Sequence, residues 1–162
     1  MVRSNFYTFN EYMKKDDDSL TASMEDYLEM IYRLSLDTGF TRINLLSHAL
    51  NVQPSSATKM VQNLAQTGLV KYERYGFIML EEKGKELGEW LLKRHTILEE
   101  FSRIIGVGGK HLLEETEKTE HMFSKDTIYC FEAFVQFMRE NPDIAARYEA
   151  FKSRANDLSP VK

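Results

Sequence analysis

Cysteine is almost absent from this chain of 162 residues, with Cys130 standing alone. No internal disulfide can form, which excludes a disulfide-stapled secreted scaffold and any zinc site built from several thiolates. Long apolar runs are missing too. None approaches the roughly 18 residues a membrane span needs, and the opening MVRSNFYTFNEYMKK lacks both an apolar h-region and a small-residue cleavage site. These absences point to the reducing cytoplasm and to no membrane partner. Positive charge is scarce overall: the formal net charge is −4, so the chain as a whole lacks the basic footprint of a nucleic-acid-binding protein. Nor is there a GxSxG, P-loop or HExxH signal for catalysis.

What is present is an ordinary globular composition, 43% hydrophobic and 28% charged, in a length that suits one domain or two small ones sharing a core. Charge is unevenly placed. Residues 1–40 sum to −4, residues 41–95 to +3, and the remainder to −3. A basic middle between acidic flanks suggests a polyanion contact in the middle and cation attraction around it.

Residues 1–21 mix aromatics with KKDDDS and show no steady period, which reads as an extension. From Ser23, a candidate N-cap with Asp26 at N3, the residues Tyr27, Met30, Ile31 and Leu34 recur at helical spacing up to a stop at Gly39. INLLSHALNVQPSSATKMVQNLAQTGLV then gives two short helical patterns sharing Leu46, Leu50, Val52, Val61 and Leu64, with Ser47 small enough for close approach. Asn51 suits a left-handed helix end, and Pro54 suits a first turn. That is helix-turn-helix spacing. Gly68 closes the second helix, and LVKYERYGFIML reads as a hairpin around Tyr75-Gly76, the two-stranded wing of a winged helix-turn-helix. Pro54 to Gln66 would be the recognition helix. Its outer face presents Ser55, Ser56, Thr58, Lys59, Gln62 and Asn63, hydrogen-bonding groups and one cation suited to phosphates and base edges, with Lys71 and Arg74 on the wing.

A long helical run follows, LEEKGKELGEWLLKRHTILEEFSRIIG, broken by Gly106, Gly108 and Gly109; KHLLEETEKTEHMF is the next helix. KDTIYCFEAFVQFMREN is another, with an apolar stripe of Ile128, Phe131, Phe134, Val135 and Met138, and it stops at Pro142. So much apolar surface beyond a complete winged unit implies a dimer interface. A short helix from Asp143 to about Ala155 and a loose SPVK tail complete the chain.

Glu117, Glu120 and His121 fall at i, i+3 and i+4, so they share a helix face and can converge on one cation; solvated faces carry Glu at the same spacing, and the residues alone leave both readings open. Asp26 and Glu29 form a second acidic pair. His95, inside an apolar run, reads by itself as a hydrogen-bonded interior histidine. Cys130 and His111 carry no reading beyond packing or exposure.

The stretches SMEDYLEMIY, PSSATKMVQNLAQTGLVKYERYG, KGKELGEWLLKRH, EEFSRIIGV and ETEKTEH resemble the diphtheria toxin repressor family of metal-dependent regulators, most closely its short manganese transport regulator branch. The resemblance runs from about Ser23 to about Phe137. It implies a mainly α fold: an extension (1–21), a winged helix-turn-helix DNA-binding domain (22–88), a helical metal-binding and dimerisation domain (89–156) and a tail (157–162). Carried over by position, the metal ligands are Asp26, Glu29, His95, Glu117, Glu120 and His121, with Glu99 in an ancillary role. The chain departs from the family in its aromatic extension, in Ala57 where a larger apolar residue is common, and in having no SH3-like third domain, as the short branch does. Iron-type members carry a sulfur ligand where Glu117 stands, so oxygen there favours Mn²⁺ over Fe²⁺. Carboxylates and imidazoles are hard and borderline donors that suit either ion. Four carboxylates in one small volume repel unless two divalent ions, or one ion and some protons, neutralise them; two per subunit is the expectation.

The implied function is a metal-responsive repressor that binds double-stranded operator DNA as a homodimer, controls metal uptake genes, and acts on no small organic substrate. Two rivals remain at this level. One is a metal-independent winged-helix regulator with a merely acidic surface. The other is a helical di-metal carboxylate enzyme, disfavoured because Glu-x-x-His is absent from the chain and the wing would be unexplained.

Overall fold

Thr21 starts the first ordered element: its hydroxyl accepts the backbone N–H of Met24 and caps helix α1, Ala22–Ser35. The cap is therefore Thr21 and not Ser23, which already lies inside the helix. Tyr27, Leu28 and Ile31 recur at helical spacing and are buried. The helix ends at Ser35, and the chain turns through Gly39 at φ 77° before resuming. The computed structural model describes residues 20–158. The extension read at 1–21 lies outside the described residues except for its last two, and the tail read at 157–162 except for its first two, which end the last helix; the side chain of Arg74 is outside them as well.

A two-residue strand, β1 (Thr41–Arg42), leads into α2 (Ile43–Ala49). Asn51 adopts φ 54° in the turn, and Pro54 opens α3 (Pro54–Gln66) at its first position. Ala57, Val61 and Leu64 bury one face of α3 completely against Leu28, Ile31 and Leu46. At Ala57 the small side chain sits at full burial, where the helices meet. Gly68 takes φ 73°, and the wing follows as β2 (Val70–Tyr72) and β3 (Phe77–Leu80), joined by a tight turn over Arg74–Gly76. The sheet has three strands, not two, in the order β1-β3-β2, with Thr41 opposite Ile78 and Val70 opposite Leu80. The third strand ties the wing to the entry of α2.

Helix α4 (Glu82–Ile105) is 24 residues long and unbroken. Leu91 completes the core of the winged unit, while Ile97 and Leu98 enter a second core with Ile128 of α6 (Lys125–Glu140), flanked by Phe123 and Phe131. Between α4 and α6 lie α5 (His111–Thr119) and a 3₁₀ turn at Glu120–Met122; α7 (Pro142–Leu158) closes the described chain. The apolar stripe of α6 is largely used within the chain: Ile128, Val135 and Met138 are buried. Among the described residues of α6 and α7, the large apolar groups left exposed are Tyr129, Phe137 and Phe151. Among the described residues no helix is long and apolar enough to cross a membrane.

Candidate metal centre and nucleic-acid interface

Three elements converge on one volume. Helix α1 contributes Asp26 and Glu29, one turn apart; α4 contributes His95; the end of α5 and the 3₁₀ turn contribute Glu117, Glu120 and His121. The shared α-helical face expected for the last three is only partly formed, because the α-helix ends at Thr119 and the tighter turn presents Glu120 and His121. Phe123 leaves that turn in extended conformation and packs into the second core, which anchors it.

The donor atoms fall into two groups, Asp26 with Glu120 and His121, and Glu29 with His95 and Glu120; within each, one atom per residue lies within 4.8 Å of the others. Glu120, 1% exposed, belongs to both. Its Oε2 lies 3.1 Å from His95 Nδ1, and its Oε1 lies 3.7 Å from His121 Nε2. Glu117, half exposed, reaches the edge of the second group, 3.6 Å from His95 Nδ1. Glu99 stands 3.9 Å from His95 Nε2 and is paired with Arg103. An open cleft of about 370 Å³ reaches Asp26, Glu29 and Glu117 from solvent.

Three charged residues at the centre escaped the sequence reading. His121 Nδ1 lies 2.7 Å from Glu25 Oε2, and Arg94 Nη2 holds that same oxygen at 2.9 Å. A carboxylate on one imidazole nitrogen fixes the tautomer and leaves the other nitrogen for an ion. Arg33 pairs with Glu29. The only local signals were the adjacency of Glu25 to Asp26 and of Arg94 to His95.

Electrostatics follow from this crowding. Contact with the Asp26 carboxylate, then with Glu25, raises the His121 pKa to about 9. The hydrogen bond to Glu120 raises that of His95. Burial pushes the Glu117 carboxyl up, and repulsion from Glu120 adds to it. Burial also works on Glu25, but His121 and Arg94 outweigh it and hold that carboxyl below its usual range. The residues fit a divalent cation of the hard or borderline kind: their donors are carboxylate oxygens and imidazole nitrogens, without sulfur. In addition, Asp26 Oδ1 is buried with no aligned hydrogen-bond partner among the described residues, although His121 Nε2 approaches it to 2.9 Å.

A pH dependence follows. His121 has its folded pKa raised above the ordinary 6.5, so its ion pairs stabilise the metal-free fold fully below pH 6.5, and that contribution is lost as pH rises through about 9. An imidazole can ligate only when neutral, so an ion held by His121 would release that proton. The expected result is that metal-free thermal stability falls from pH 6.5 to 9 while apparent Mn²⁺ affinity rises by about tenfold per pH unit. Calorimetry in two buffers of different ionisation enthalpy counts the protons released; an affinity flat across this range would contradict the assignment.

In the winged unit, Ser55, Ser56, Lys59, Gln62 and Asn63 are exposed along α3. Thr58, half-buried, donates its hydroxyl to the carbonyl of Pro54 and keeps only acceptor capacity. Lys71 on the wing pairs with Glu73 at 3.1 Å. The wing tip is Tyr75, 91% exposed and held at φ 67°, an aromatic that the sequence reading used only as a turn marker.

Residues 19–77 match the model described as "Iron dependent repressor, N-terminal DNA binding domain", and residues 81–148 match "Iron dependent repressor, metal binding and dimerisation domain". The chain is similar to the HTH-type transcriptional regulator MntR of Lysinibacillus sphaericus, 43% identical over 84% of this chain and 98% of that protein. It is likewise similar to the MntR of Shouchella clausii, 45% identical over 75% of this chain and 85% of that one. Among solved structures, a manganese-dependent transcriptional repressor in complex with manganese superposes with a TM-score of 0.63 at 25% identity, covering 70% of this chain and 53% of that chain. The IdeR of T. acidophilum gives a TM-score of 0.58 at 28% identity, over 72% and 55%. This chain thus spans about half the length of those two solved proteins.

Proposed function

Because this chain belongs to the iron-dependent repressor family, as a metal-responsive transcriptional repressor with a DNA-binding domain and a dimerisation domain, we propose that Mn²⁺ is its effector and that its targets are metal uptake genes. Two ions per subunit are held by Asp26, Glu29, His95, Glu117, Glu120 and His121. The names of the MntR relatives and the manganese complex among the solved neighbours support the choice of metal. The observation that carries the site is Glu120, buried between two donor groups and common to both. Two donor groups that share Glu120 support the number, one ion to each. Glu25, Asp26, Glu29, Glu117 and Glu120 face Arg33 and Arg94, which leaves three negative charges once both imidazoles are neutral, an excess that attracts divalent cations. The family is one of regulators, not enzymes.

A bound ion supplies the positive charge that ties α1 to the end of α5. Leu28 and Ile31, on the same helix as Asp26 and Glu29, pack directly on α3, so the ligand carboxylates and the recognition helix move together. Fixing α1 against the turn at Glu120–His121 therefore fixes where α3 points relative to the dimerisation helices. Two recognition helices read successive major grooves when they are roughly 34 Å apart. The gain is limited to the difference in ion affinity between the two arrangements, and DNA tightens the ion by the same factor.

Titrating operator DNA upstream of a manganese transporter gene with and without Mn²⁺ tests this. The expected gain is about 5- to 150-fold; equal affinity in both arms rejects it. The DNA contacts proposed are Ser55, Ser56, Thr58, Lys59, Gln62, Asn63, Lys71 and Arg74. Lys59→Ala is expected to weaken binding to every sequence alike and to reduce the slope of log affinity against log salt by about 1. An unchanged slope would remove Lys59 from the interface.

A further inference from the structure

The two guanidiniums at the centre are placed differently. Arg94, 5% exposed, binds Glu25 and lies 3.2 Å from His121 Nδ1, the ring nitrogen away from Asp26 and Glu120, and comes no nearer than 3.9 Å to Glu120. Arg33 instead binds a donor itself. Its Nε donates to Glu29 Oε1 at 2.9 Å, and its Nη2 donates to the same oxygen. Glu29 is 6% exposed, and a carboxylate so buried requires a positive partner. We propose that Arg33 competes with a divalent ion for Glu29, so that the affinity of the Glu29–His95–Glu120 position is set by how readily this guanidinium is displaced.

The inference rests on reading the cluster as a metal centre. An oxygen that already accepts two guanidinium N–H groups is a poor donor to a cation, and a fixed positive charge beside it repels one. Arg33 keeps its charge at every accessible pH. It must therefore leave by moving, not by losing a proton. The route is open: its side chain is 35% exposed and lines the same cleft that leads to Asp26, Glu29 and Glu117. The spacing is built into α1, since residues four apart face each other along a helix. At the Asp26–Glu120–His121 position Arg94 approaches only His121 Nδ1, at 3.2 Å, and not Nε2, the nitrogen turned to Asp26 and Glu120, so among the described residues this competition acts on one position alone.

The test is Mn²⁺ titration of the full-length protein at pH 8, following free aqueous Mn²⁺ by electron paramagnetic resonance together with calorimetry. Wild type, Arg33→Gln and Arg33→Lys are compared. In Arg33→Gln the weaker class of sites is expected to tighten roughly 10- to 100-fold, the range for giving up a charge-assisted hydrogen bond, while the tighter class stays within about threefold. Arg33→Lys should fall between, because one ammonium does not reproduce the planar fork. Thermal melts separate this from a merely structural role: Arg33→Gln should lower the metal-free melting temperature, with Glu29 left unpaired, and raise the increment gained on Mn²⁺ saturation. Binding classes unchanged in Arg33→Gln, or a weaker class that loosens further, would overturn the proposal. Absence of Mn²⁺ uptake by the wild type would overturn the metal-centre reading along with it, a result readily told apart from the first two.

Discussion

Glu120→Gln is expected to abolish the Mn²⁺-dependent gain in operator affinity, the full factor of about 5- to 150-fold, while leaving the winged fold intact. The substitution keeps shape and volume in a side chain 1% exposed, so packing around it is undisturbed. What changes is charge and donor character. One end of the side chain becomes an amide nitrogen, which cannot ligate, and the negative charge that serves both donor groups disappears. Substituting even the partners that orient a ligand costs about 10- to 100-fold in metal affinity, so losing a carboxylate common to two positions should cost at least that at each. Glu117→Gln, at a half-exposed carboxylate on the edge of one group, should cost less and affect one position. Mn²⁺ titration paired with fluorescence anisotropy on labelled operator measures both quantities. If Glu120→Gln responded to Mn²⁺ as the wild type does, Glu120 would be no ligand.

The second large effect is at Gly84 in the first turns of α4. An exposed Gly→Ala change inside a helix ordinarily stabilises by roughly 0.5–1 kcal/mol through propensity. Here the sign reverses. A Cβ at Gly84 would lie 1.9 Å from the carbonyl oxygen of Leu69 and 2.9 Å from its carbonyl carbon. That carbonyl cannot rotate away freely, because it accepts the backbone N–H of Glu81 at 3.0 Å. Backbone must move, at a cost of about 3 kcal/mol or more. Since Leu69 directly precedes β2, the displacement reaches the wing. Gly84→Ala should lower the urea midpoint sharply and weaken operator binding even at saturating Mn²⁺; a variant as stable as wild type would show that α4 and the wing are not packed as described.

Much of the winged unit was legible in the sequence because its punctuation is local. Asn51, Pro54 and Gly68 mark the ends of two short helices by conformational preference alone, and α3 spans Pro54–Gln66 as that punctuation implies. Other features depended on partners that local reasoning does not supply. Strand β1 has two residues, too few for alternation to register, and exists because β3 offers it an edge. Thr21 and Ser23 are both hydroxyl residues, and the chain's entry angle decides which one caps. His95 stands out from an apolar helix only through the family resemblance. Glu25 takes its meaning from His121, 96 positions away; Arg94 and Arg33 read as ordinary surface cations until the carboxylates they serve are brought beside them.

The continuity of α4 bears on how such proteins can be recombined. Since Leu91 belongs to the first core and Ile97 to the second, a chimera that exchanges operator preference by joining the reading unit of one regulator to the sensor of another has no natural seam at the end of the wing. A splice near residue 80 would strip the donor unit of Leu91 and graft a foreign side chain into its interior. The workable junction lies between Leu91 and Ile97, inside the helix and next to His95, so inheritance of the reading unit and of the sensor is coupled by a stretch of barely two turns.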